Sequence, residues 1–474
     1  MSHHVIKGGA FLIEDRTPEE FFTPEDFTGE HKMILNTALA FVKKEVWPRI
    51  SDIEAKTEGV SKHLLAVAGE LGLNGTDIPE AYGGLGLDKI STAVVTEAMG
   101  GAAAFATSHG AHTGIGTLPI VYFGTEEQKQ KYLPALASGE AFGAYALTES
   151  GAGSDALNAK TKAVLSDDGK YYILNGEKMF ITNAGWAETF ITYAKVDGDK
   201  FTAFIVERGF PGVSVGAEEK KMGIHGSSTR TLILEDAKVP VENVLHAIGK
   251  GHQVAFNILN IGRYKLGAAT VGACKVALEA AVKYAKGRIQ FGQSIANFGL
   301  IKEKLARMAV SNYMAESIIY RISGLIDTKL HELEEQNRTS GQDIAEGIEE
   351  YAIECSIAKV YGSETASYVM DEMVQIYGGY GYVSEYPAER MYRDCRINRI
   401  YEGTNEINRM IIPGTLMRRA MKGQLPLMDA LQKLTPEIMA FDPKAVKLGE
   451  GPLAVQQQMI KMCKKIGLMT AGLA

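Results

Sequence analysis

The chain has 474 residues, of which 46% are hydrophobic and 23% charged, and its formal net charge is −7. That length is too great for one simple core and predicts two to four domains. The basic residues are dispersed rather than gathered into a nucleic-acid-binding patch, and no apolar run approaches the length of a membrane span.

The N-terminal part, from about residue 24 to residue 140, is predicted to be mostly helical. Apolar side chains recur with helical spacing over Phe27–Ile50 and over Lys62–Leu73. The segment Gly100–Gly116 is rich in small residues, and this composition favours close helix packing over contact with a ligand.

The pattern changes near Gly143, where short β-strands replace the helices. Tyr171–Thr182 is predicted as two short strands joined by a hairpin turn at Asn175-Gly176. Three further segments are predicted to be strands: Thr189–Ala194, Phe201–Val206 and Thr229–Leu234. A β-rich domain therefore follows the helical one.

Helical periodicity returns at Gln253 and continues to about Lys422. Three long helices are predicted: Ile261–Lys286, Asn297–Thr328 and Glu349–Tyr377. Glu332–Gly347 is polar and charged and is predicted to be a solvated connection. After Lys422 comes a stretch punctuated by Pro and Gly, followed by an amphipathic segment, Pro452–Leu473.

We therefore predict four parts: an N-terminal helical domain (1–142), a middle β domain (143–248), a C-terminal helical domain (249–422) and the start of an appended helical region (423–474). This order does not fit one sheet with alternating helices. No Gly-x-Gly-x-x-Gly fingerprint opens a strand-to-helix turn, so a dinucleotide would not be bound in the Rossmann manner.

The four cysteines, Cys274, Cys355, Cys395 and Cys463, have neither metal-ligand nor redox-pair spacing. We expect reduced thiols and no metal site. The first residues resemble neither a secretory signal nor an Arg-rich transit peptide. We expect a cytoplasmic protein, or a mitochondrial matrix protein if a transit peptide has been removed before this numbering.

Two segments of the β domain suggest a flat ligand. In Tyr145–Asp155 a strand end runs into a loop of small residues, whose glycines allow backbone N–H groups to approach a ring system or a phosphate. A plain loop explains that segment equally well. Met179–Asn183 carries the aromatic Phe180, which in an arbitrary sheet is more often part of the core.

Two segments of the C-terminal part add to this pattern. Arg288–Gly292, followed by Phe298–Lys302, offers a guanidinium that can donate two parallel bonds to a pyrophosphate. A surface arginine at a helix end is the commoner case. Gln375–Asp394 begins with a glycine cluster at a helix exit and leads to Ile400–Ile407, which contains Glu402.

Glu402 is the candidate catalytic base. Most glutamates are solvated surface groups, but the flanking Ile397, Ile400 and Tyr401 indicate that this one enters an apolar environment. Burial raises the pKa of a carboxylate, and a general base works best with a pKa near the operating pH.

Together the four segments resemble the acyl-CoA dehydrogenase family, over nearly the whole chain to about residue 420. The resemblance is closest to the very-long-chain branch and its bacterial relatives. It implies a mainly α fold with a central β domain: an N-terminal helical domain, a middle β-barrel-like domain and a C-terminal four-helix bundle. It also implies that FAD is the cofactor and that Glu402 removes the α-proton of an acyl-CoA.

The resemblance implies further roles residue by residue. It places these residues at the flavin, some of them across a dimer: Tyr145, Leu147, Thr148, Gly153, Ser154, Phe180, Ile181, Thr182, Arg288, Gln290, Phe291, Phe298, Gln375, Gly378, Gly379, Thr404 and Glu406. It places three at the substrate: Ser154, Arg263 and Gly403. The sequence departs from the family pattern at Asn158, where a small residue is usual, at Phe180, where Trp is most frequent, and at Lys302, where Gln is frequent.

A minority of the family carries its base on the helix that begins here near Leu259. That place is occupied by Gly262, which cannot act as a base, so Glu402 is the candidate that remains. The next residue, Arg263, resembles a family residue near the substrate. Its structural alternative is a buried ion pair that positions the segment of Glu402.

The resemblance predicts dehydrogenation of a saturated, long-chain fatty acyl-CoA to the trans-2-enoyl-CoA in fatty-acid β-oxidation. It predicts electron-transfer flavoprotein as the acceptor, a homodimer or higher homo-oligomer, and no nucleic-acid partner; peripheral membrane contact stays an open alternative. Gly100–Gly116 could widen the acyl tunnel or only pack helices. Two other functions remain as alternatives: an acyl-CoA oxidase, or an assembly or scaffold protein that keeps a dehydrogenase fold.

Overall fold

A computed structural model describes residues 5–440 and 450–473 of the chain. Seven α-helices precede the first strand: α1 (Gly29–Phe41), α2 (Ile50–Glu54), α3 (Val60–Glu70), α4 (Lys89–Met99), α5 (Ala104–Ala111), α6 (Leu118–Phe123) and α7 (Glu126–Ser138). The helix predicted at Phe27–Ile50 is interrupted after α1 by a π-helical turn and a 3-10 turn. Pro48 lies in the 3-10 turn and has no N–H to continue an α-helix.

The helix α4 packs against a later helix, α8 (Gly251–Gly287), with the two backbones almost in contact. A Cβ atom added to Gly100 would lie 2.0 Å from the carbonyl oxygen of Ala269, and one added to Gly272 would lie 1.7 Å from that of Glu97. Only glycine fits at such a distance, so close helix packing at the start of Gly100–Gly116 is confirmed. The same segment also lines a cavity, which is described below.

The middle region is a mixed sheet of eight strands: β1 (Gly143–Ala146), β2 (Lys162–Leu165), β3 (Tyr171–Thr182), β4 (Thr189–Val196), β5 (Lys200–Glu207), β6 (Val213–Val215), β7 (Thr229–Pro240) and β8 (Val244–Leu245). The strand order is β6-β7-β3-β2-β4-β5-β8, and β1 pairs with β4 in parallel. The inner face of the sheet buries aromatic and aliphatic side chains, among them Phe142, Phe190 and Phe204.

The hairpin predicted at Asn175-Gly176 is wrong. Tyr171–Thr182 is one strand, β3, which pairs with β7 along its length and has a register shift between Leu174 and Gly176. Gly176 has φ +152°, and a Cβ atom there would lie 2.5 Å from the Thr161 hydroxyl oxygen. The glycine therefore serves a β-bulge rather than a turn.

The C-terminal region is helical: α8 (Gly251–Gly287), α9 (Gly299–Glu335), α10 (Gly341–Glu349), α11 (Ala352–Tyr377), α12 (Pro387–Cys395) and α13 (Asn405–Met421). The short strands β9 (Ile289–Gln290) and β10 (Gln293–Ser294) form a hairpin between α8 and α9. The solvated connection predicted at Glu332–Gly347 is wrong, because α9 continues to Glu335 and α10 begins at Gly341. A capping box between Ser340 and Asp343 starts α10, which buries Ala345 and Ile348.

Two helices follow the bundle, α14 (Leu427–Met439) and α15 (Ala454–Leu473). The Pro- and Gly-punctuated stretch after Lys422 thus contains a helix, and its residues 441–449 lie outside the described part of the chain. Lys464 of α15 donates hydrogen bonds to Glu14 and Asp15, which ties α15 to the N-terminal segment. Within the described residues, no helix is long and apolar enough to cross a membrane.

Candidate active site

A cavity of about 550 Å³ runs between α4, α5, α8, α11 and α12. Small and apolar side chains of α8 line one wall: Gly262, Leu266, Ala269, Ala273, Val276 and Ala280. Thr182, at the end of β3, and Glu402, on the loop before α13, also lie on its wall. Such an enclosure suits an extended apolar ligand that reaches the Glu402 carboxylate.

Glu402 presents a buried carboxylate to this cavity. The residue as a whole is partly exposed, but its Oε2 atom is buried and has no hydrogen-bond partner among the described residues. Burial raises the pKa of Glu402 to about 7, against the opposing effect of the cations Arg263 and Lys359. The carboxylate can therefore accept a proton near neutral pH, as a general base must.

Three side chains hold the backbone around Glu402. Arg263 Nε donates to the carbonyl oxygen of Glu402 at 3.3 Å, and Lys359 Nζ donates to that of Gly403 at 2.7 Å. Asn408 Nδ2 donates to both, at 3.3 and 2.9 Å. Glu402 has φ +57°, a left-handed conformation that costs a non-glycine residue about 1 kcal/mol and persists where neighbours fix it.

Gly262 of α8 makes room for the carboxylate. A Cβ atom on Gly262 would lie 2.4 Å from Glu402 Oε2 and 2.7 Å from its Cδ. The place where a minority of the family carries its base is therefore directly against the Glu402 side chain. No second carboxylate stands there.

Arg263 is buried and donates one hydrogen bond to the backbone of Glu402 and another, at 3.0 Å, to Asn260 Oδ1. These contacts are those of a positioning residue. The alternative of a buried ion pair is wrong in detail, since Arg263 bonds the carbonyl of Glu402 and not its carboxylate. Its predicted contact with the substrate stays a prediction.

The first two predicted flavin segments lie side by side. The N–H of Met179 donates to the carbonyl oxygen of Thr148 at 2.8 Å and joins the loop after β1 to the end of β3. Leu147 and Ile181, one from each segment, are buried, whereas Phe180 is 59% exposed and has φ +60°. An aromatic ring left uncovered on the strand that leads to Thr182 suits a flat ring system, so these residues fit a flavin.

The remaining residues predicted at this flavin face lie around that pair of segments. Tyr145, in β1, packs edge-on against Tyr193 at 5.4 Å, and its hydroxyl group is buried. Gly153 and Ser154 lie on the exposed loop that follows β1. Thr182 lines the cavity beside Glu402.

The residues predicted to reach a neighbouring subunit form a separate, exposed group. Phe291, on the β9–β10 hairpin, is 94% exposed and packs edge-on against Phe298 at 6.1 Å. The Arg288 guanidinium lies 5.4 Å from the centre of the Tyr380 ring, which joins the hairpin to the turn after α11. This group consists of Arg288, Gln290, Phe291, Phe298, Gln375, Gly378 and Gly379, and none of its members lines the cavity that contains Glu402.

The last two predicted flavin residues lie at the start of α13. The Thr404 hydroxyl accepts the N–H of Ile407 and caps the helix, and Glu406 is exposed. Gly403 has φ +78° and lies between Glu402 and this cap. Within residues 5–440 and 450–473, no group of three or more His, Cys, Asp or Glu side chains is arranged to hold a metal ion.

Sequence reasoning missed Lys359 and Asn408. Lys359 is fully buried in α11, and Cys355 and Ser363, one turn away on either side, are buried too. A lone lysine on the apolar face of a helix was the signal that could have identified it. Asn408 carried no local signal, because its role depends on the loop that precedes α13.

Three family descriptions match in chain order: the acyl-CoA dehydrogenase N-terminal domain at 28–140, its middle domain at 144–237 and its C-terminal domain at 249–417. The chain belongs to the acyl-CoA dehydrogenase family. The predictions of this family, of its three-domain fold and of FAD as its cofactor are thereby confirmed.

The acyl-CoA dehydrogenase relatives differ in how much of their length the chain spans. A probable acyl-CoA dehydrogenase of Bacillus subtilis is 57% identical over 470 residues, which are 99% of this chain and 79% of that protein. The mitochondrial very long-chain specific acyl-CoA dehydrogenase of Macaca fascicularis is 44% identical over 365 residues, which are 75% of this chain. The chain spans 53%, or about half, of that relative.

Among solved structures, an acyl-CoA dehydrogenase from Bacillus anthracis complexed with FAD superposes with a TM-score of 0.96. It is 57% identical, and the match covers 99% of this chain and 79% of that one. The butyryl-CoA dehydrogenase of Megasphaera elsdenii matches at 36% identity with a TM-score of 0.74, over 83% of this chain and 99% of that one.

Proposed function

We propose that the protein dehydrogenates long-chain fatty acyl-CoA to trans-2-enoyl-CoA, with FAD as the cofactor and Glu402 as the base. The observation that carries the proposal is the Glu402 carboxylate: buried, unpaired at Oε2, with a pKa near 7, on the wall of an apolar cavity. Thr182, beside the uncovered ring of Phe180, lines the same cavity.

In this mechanism Glu402 takes a proton from the α-carbon of the thioester. FAD, held against Leu147, Thr148, Phe180 and Thr182, would supply the two-electron acceptor for the hydrogen of the β-carbon, which the formation of the carbon–carbon double bond requires. Negative charge develops on the thioester oxygen as the α-proton leaves. The N–H of Glu402 donates to no acceptor within the described residues and can stabilise that oxygen, a contribution typically worth about 3 kcal/mol in the transition state.

The backbone clamp fixes the chain on the C-terminal side of the Glu402 Cα atom. Arg263 bonds the carbonyl oxygen of Glu402, Lys359 bonds that of Gly403 and Asn408 bonds both, so the two peptides that follow this Cα atom cannot rotate freely. Positioning of this kind contributes much of the rate when two groups must act on one small substrate.

The flavin would be held by two groups of residues. Leu147, Thr148, Phe180 and Thr182 would contact its ring system, and Gly153 and Ser154 lie on the exposed loop beside them. The exposed hairpin and turn with Arg288 and Gln375 would meet the FAD of a second subunit. We therefore propose a homodimer at minimum.

The preference for long chains rests on the cavity. The small residues Gly100, Gly101 and Ala273 line it and leave space for an acyl chain. Each methylene group that moves from water into such an apolar space contributes about 0.8 kcal/mol to the binding free energy. Dehydrogenation of long-chain fatty acyl-CoA is a step of fatty-acid β-oxidation, and we propose that the protein catalyses this step.

We propose electron-transfer flavoprotein as the electron acceptor. One relative, the caffeyl-CoA reductase-Etf complex subunit CarC of Acetobacterium woodii, is 38% identical over 398 residues, which are 83% of this chain and 100% of that protein. An acceptor of this kind would distinguish the protein from an oxidase, which passes electrons to oxygen.

The test is anaerobic addition of palmitoyl-CoA to the purified yellow protein. Rapid bleaching of the visible flavin band, with trans-2-hexadecenoyl-CoA as the product, is the expected result. Slow reoxidation by air and fast reoxidation by electron-transfer flavoprotein would separate a dehydrogenase from an oxidase. A protein that cannot be loaded with FAD would contradict the proposal and favour a scaffold role.

A further inference from the structure

The cavity continues well past the catalytic end. Its α8 wall begins at Gly262, beside the Glu402 carboxylate, and ends at Glu279, Ala280 and Lys283. From Gly262 to Lys283 an α-helix rises by about 30 Å. The space available to an acyl chain is therefore a long tunnel that follows α8 for nearly six turns.

The far end of this tunnel is bordered by exposed residues. Glu279 and Lys283 of α8 and Pro387 of α12 are exposed, although they line the tunnel. Trp47, which also lines it, is 36% exposed and donates from its ring to the carbonyl oxygen of Gly101 at 2.9 Å. The tunnel thus opens to solvent between α8 and α12.

Beyond His109 and Lys265, which line the tunnel near its catalytic end, the wall offers little to a polar group. The wall there is mainly apolar, with Met99, Leu266, Ala273 and Val276. The hydroxyl groups of two lining threonines donate to carbonyl oxygens of their own helices. A hydroxyl group held in this middle part would lose its hydration with little compensation.

The rim of the far opening is polar and close to electrically neutral. Glu279 and Lys283 have opposite charges one helical turn apart, and both residues are exposed. The rim therefore accepts a hydrated end group without selecting one sign of charge.

We propose that the tunnel opens to solvent at its far end and accepts acyl chains longer than itself, including chains that end in an ω-hydroxyl group. The end group would pass through the apolar middle and return to water at the rim of Glu279, Lys283 and Pro387. The substrate class that the far opening adds is thus ω-hydroxylated very-long-chain acyl-CoA. This inference rests on the proposed dehydrogenase function.

The first experiment probes the far opening by thiol protection and needs no turnover. Lys283→Cys is prepared as the FAD-loaded protein, with the exposed Cys463 replaced by serine, and is alkylated with and without acyl-CoA. The matched control is Lys286→Cys, an exposed position on α8 that does not line the tunnel. Hexacosanoyl-CoA should slow alkylation severalfold at position 283 and leave it unchanged at position 286, whereas octanoyl-CoA should affect neither.

The second experiment compares acyl chains with and without a terminal hydroxyl group. The quantity measured is the rate constant of flavin bleaching divided by the dissociation constant of the acyl-CoA. ω-Hydroxydodecanoyl-CoA, whose hydroxyl stops inside the tunnel, should be at least about fivefold worse than dodecanoyl-CoA. The corresponding pair of hexacosanoyl-CoAs should react alike. A fivefold loss in both pairs would overturn the inference. Two alkylation results would overturn it as well: an unchanged rate at position 283 in the presence of hexacosanoyl-CoA, or no alkylation at position 283 even without ligand. Failure of palmitoyl-CoA to bleach the flavin of the FAD-loaded protein would instead contradict the proposed function.

Discussion

Replacement of Gly262 by alanine tests the contact on which the geometry of Glu402 depends. The added Cβ atom would lie 2.4 Å from Oε2, 2.7 Å from Cδ and 3.0 Å from Oε1 of Glu402. All three atoms belong to the end of one flexible side chain. The carboxylate, rather than the backbone of α8, would therefore move.

The two expected effects have opposite signs. Ordinary van der Waals contact begins at about 3.4 Å, so Oε2 must withdraw by about 1 Å. A displacement of 1 Å at a catalytic group can cost about 100-fold in rate, or about 2.7 kcal/mol in activation free energy. Alanine in the interior of a helix is about 0.5–1 kcal/mol more stable than glycine, so the free energy of unfolding should stay level or increase.

The assay is stopped-flow bleaching of the flavin by palmitoyl-CoA, together with urea unfolding. Gly414→Ala is the matched control, because Gly414 lies inside α13 and an added Cβ atom there meets nothing within 4 Å. It should gain the same stability and keep the wild-type rate. If Gly262→Ala bleached at the wild-type rate, the argument that Gly262 makes room for the catalytic carboxylate would be refuted.

Three further perturbations test other parts of the account. Because burial raises the pKa of Glu402 to about 7 and the ionised form is the base, the bleaching rate should increase with pH through about 7 and then level off; a rate that is flat from pH 5 to about 9 would contradict this. Lys359→Met removes a cation that lowers the pKa of Glu402, so the midpoint of that pH profile should move upward; an unchanged midpoint in the FAD-loaded variant would limit Lys359 to a structural role. Asp77→Asn should lower the free energy of unfolding, measured by urea titration, by about 3–5 kcal/mol, because Lys89 and Lys265 would lose the buried carboxylate that they share at 2.5 and 2.6 Å. A loss below about 1 kcal/mol would show that the two ion pairs contribute little to stability.

Much of the active-site chemistry could be predicted from local sequence. The apolar neighbours Ile397, Ile400 and Tyr401 indicated that Glu402 is buried, and the raised pKa agrees with this expectation. The left-handed backbone of Glu402 could not be predicted, because it depends on hydrogen bonds from side chains on α8, α11 and α13. Contacts between residues so far apart in the sequence leave no local pattern.

The errors in the fold have the same origin. Asn175-Gly176 has the composition of a hairpin turn, but pairing of β3 with β7 along twelve residues outweighs that local preference. Glu332–Gly347 is polar, yet it contains the end of α9 and most of α10, because a capping box and two buried side chains suffice to hold a short helix on the bundle. In both cases tertiary pairing decided between structures that the local sequence allowed.

The central claim is that Glu402 is the base of a flavin-dependent dehydrogenation. Its most direct test is the rate of anaerobic flavin bleaching by palmitoyl-CoA in Glu402→Gln, compared with the wild type and with Glu335→Gln, a change at an exposed glutamate of α9 that does not line the cavity. We predict that Glu402→Gln binds FAD and the thioester but bleaches about 10²–10⁴-fold more slowly, whereas Glu335→Gln changes the rate little. Bleaching of the FAD-loaded Glu402→Gln variant at the wild-type rate would contradict the account.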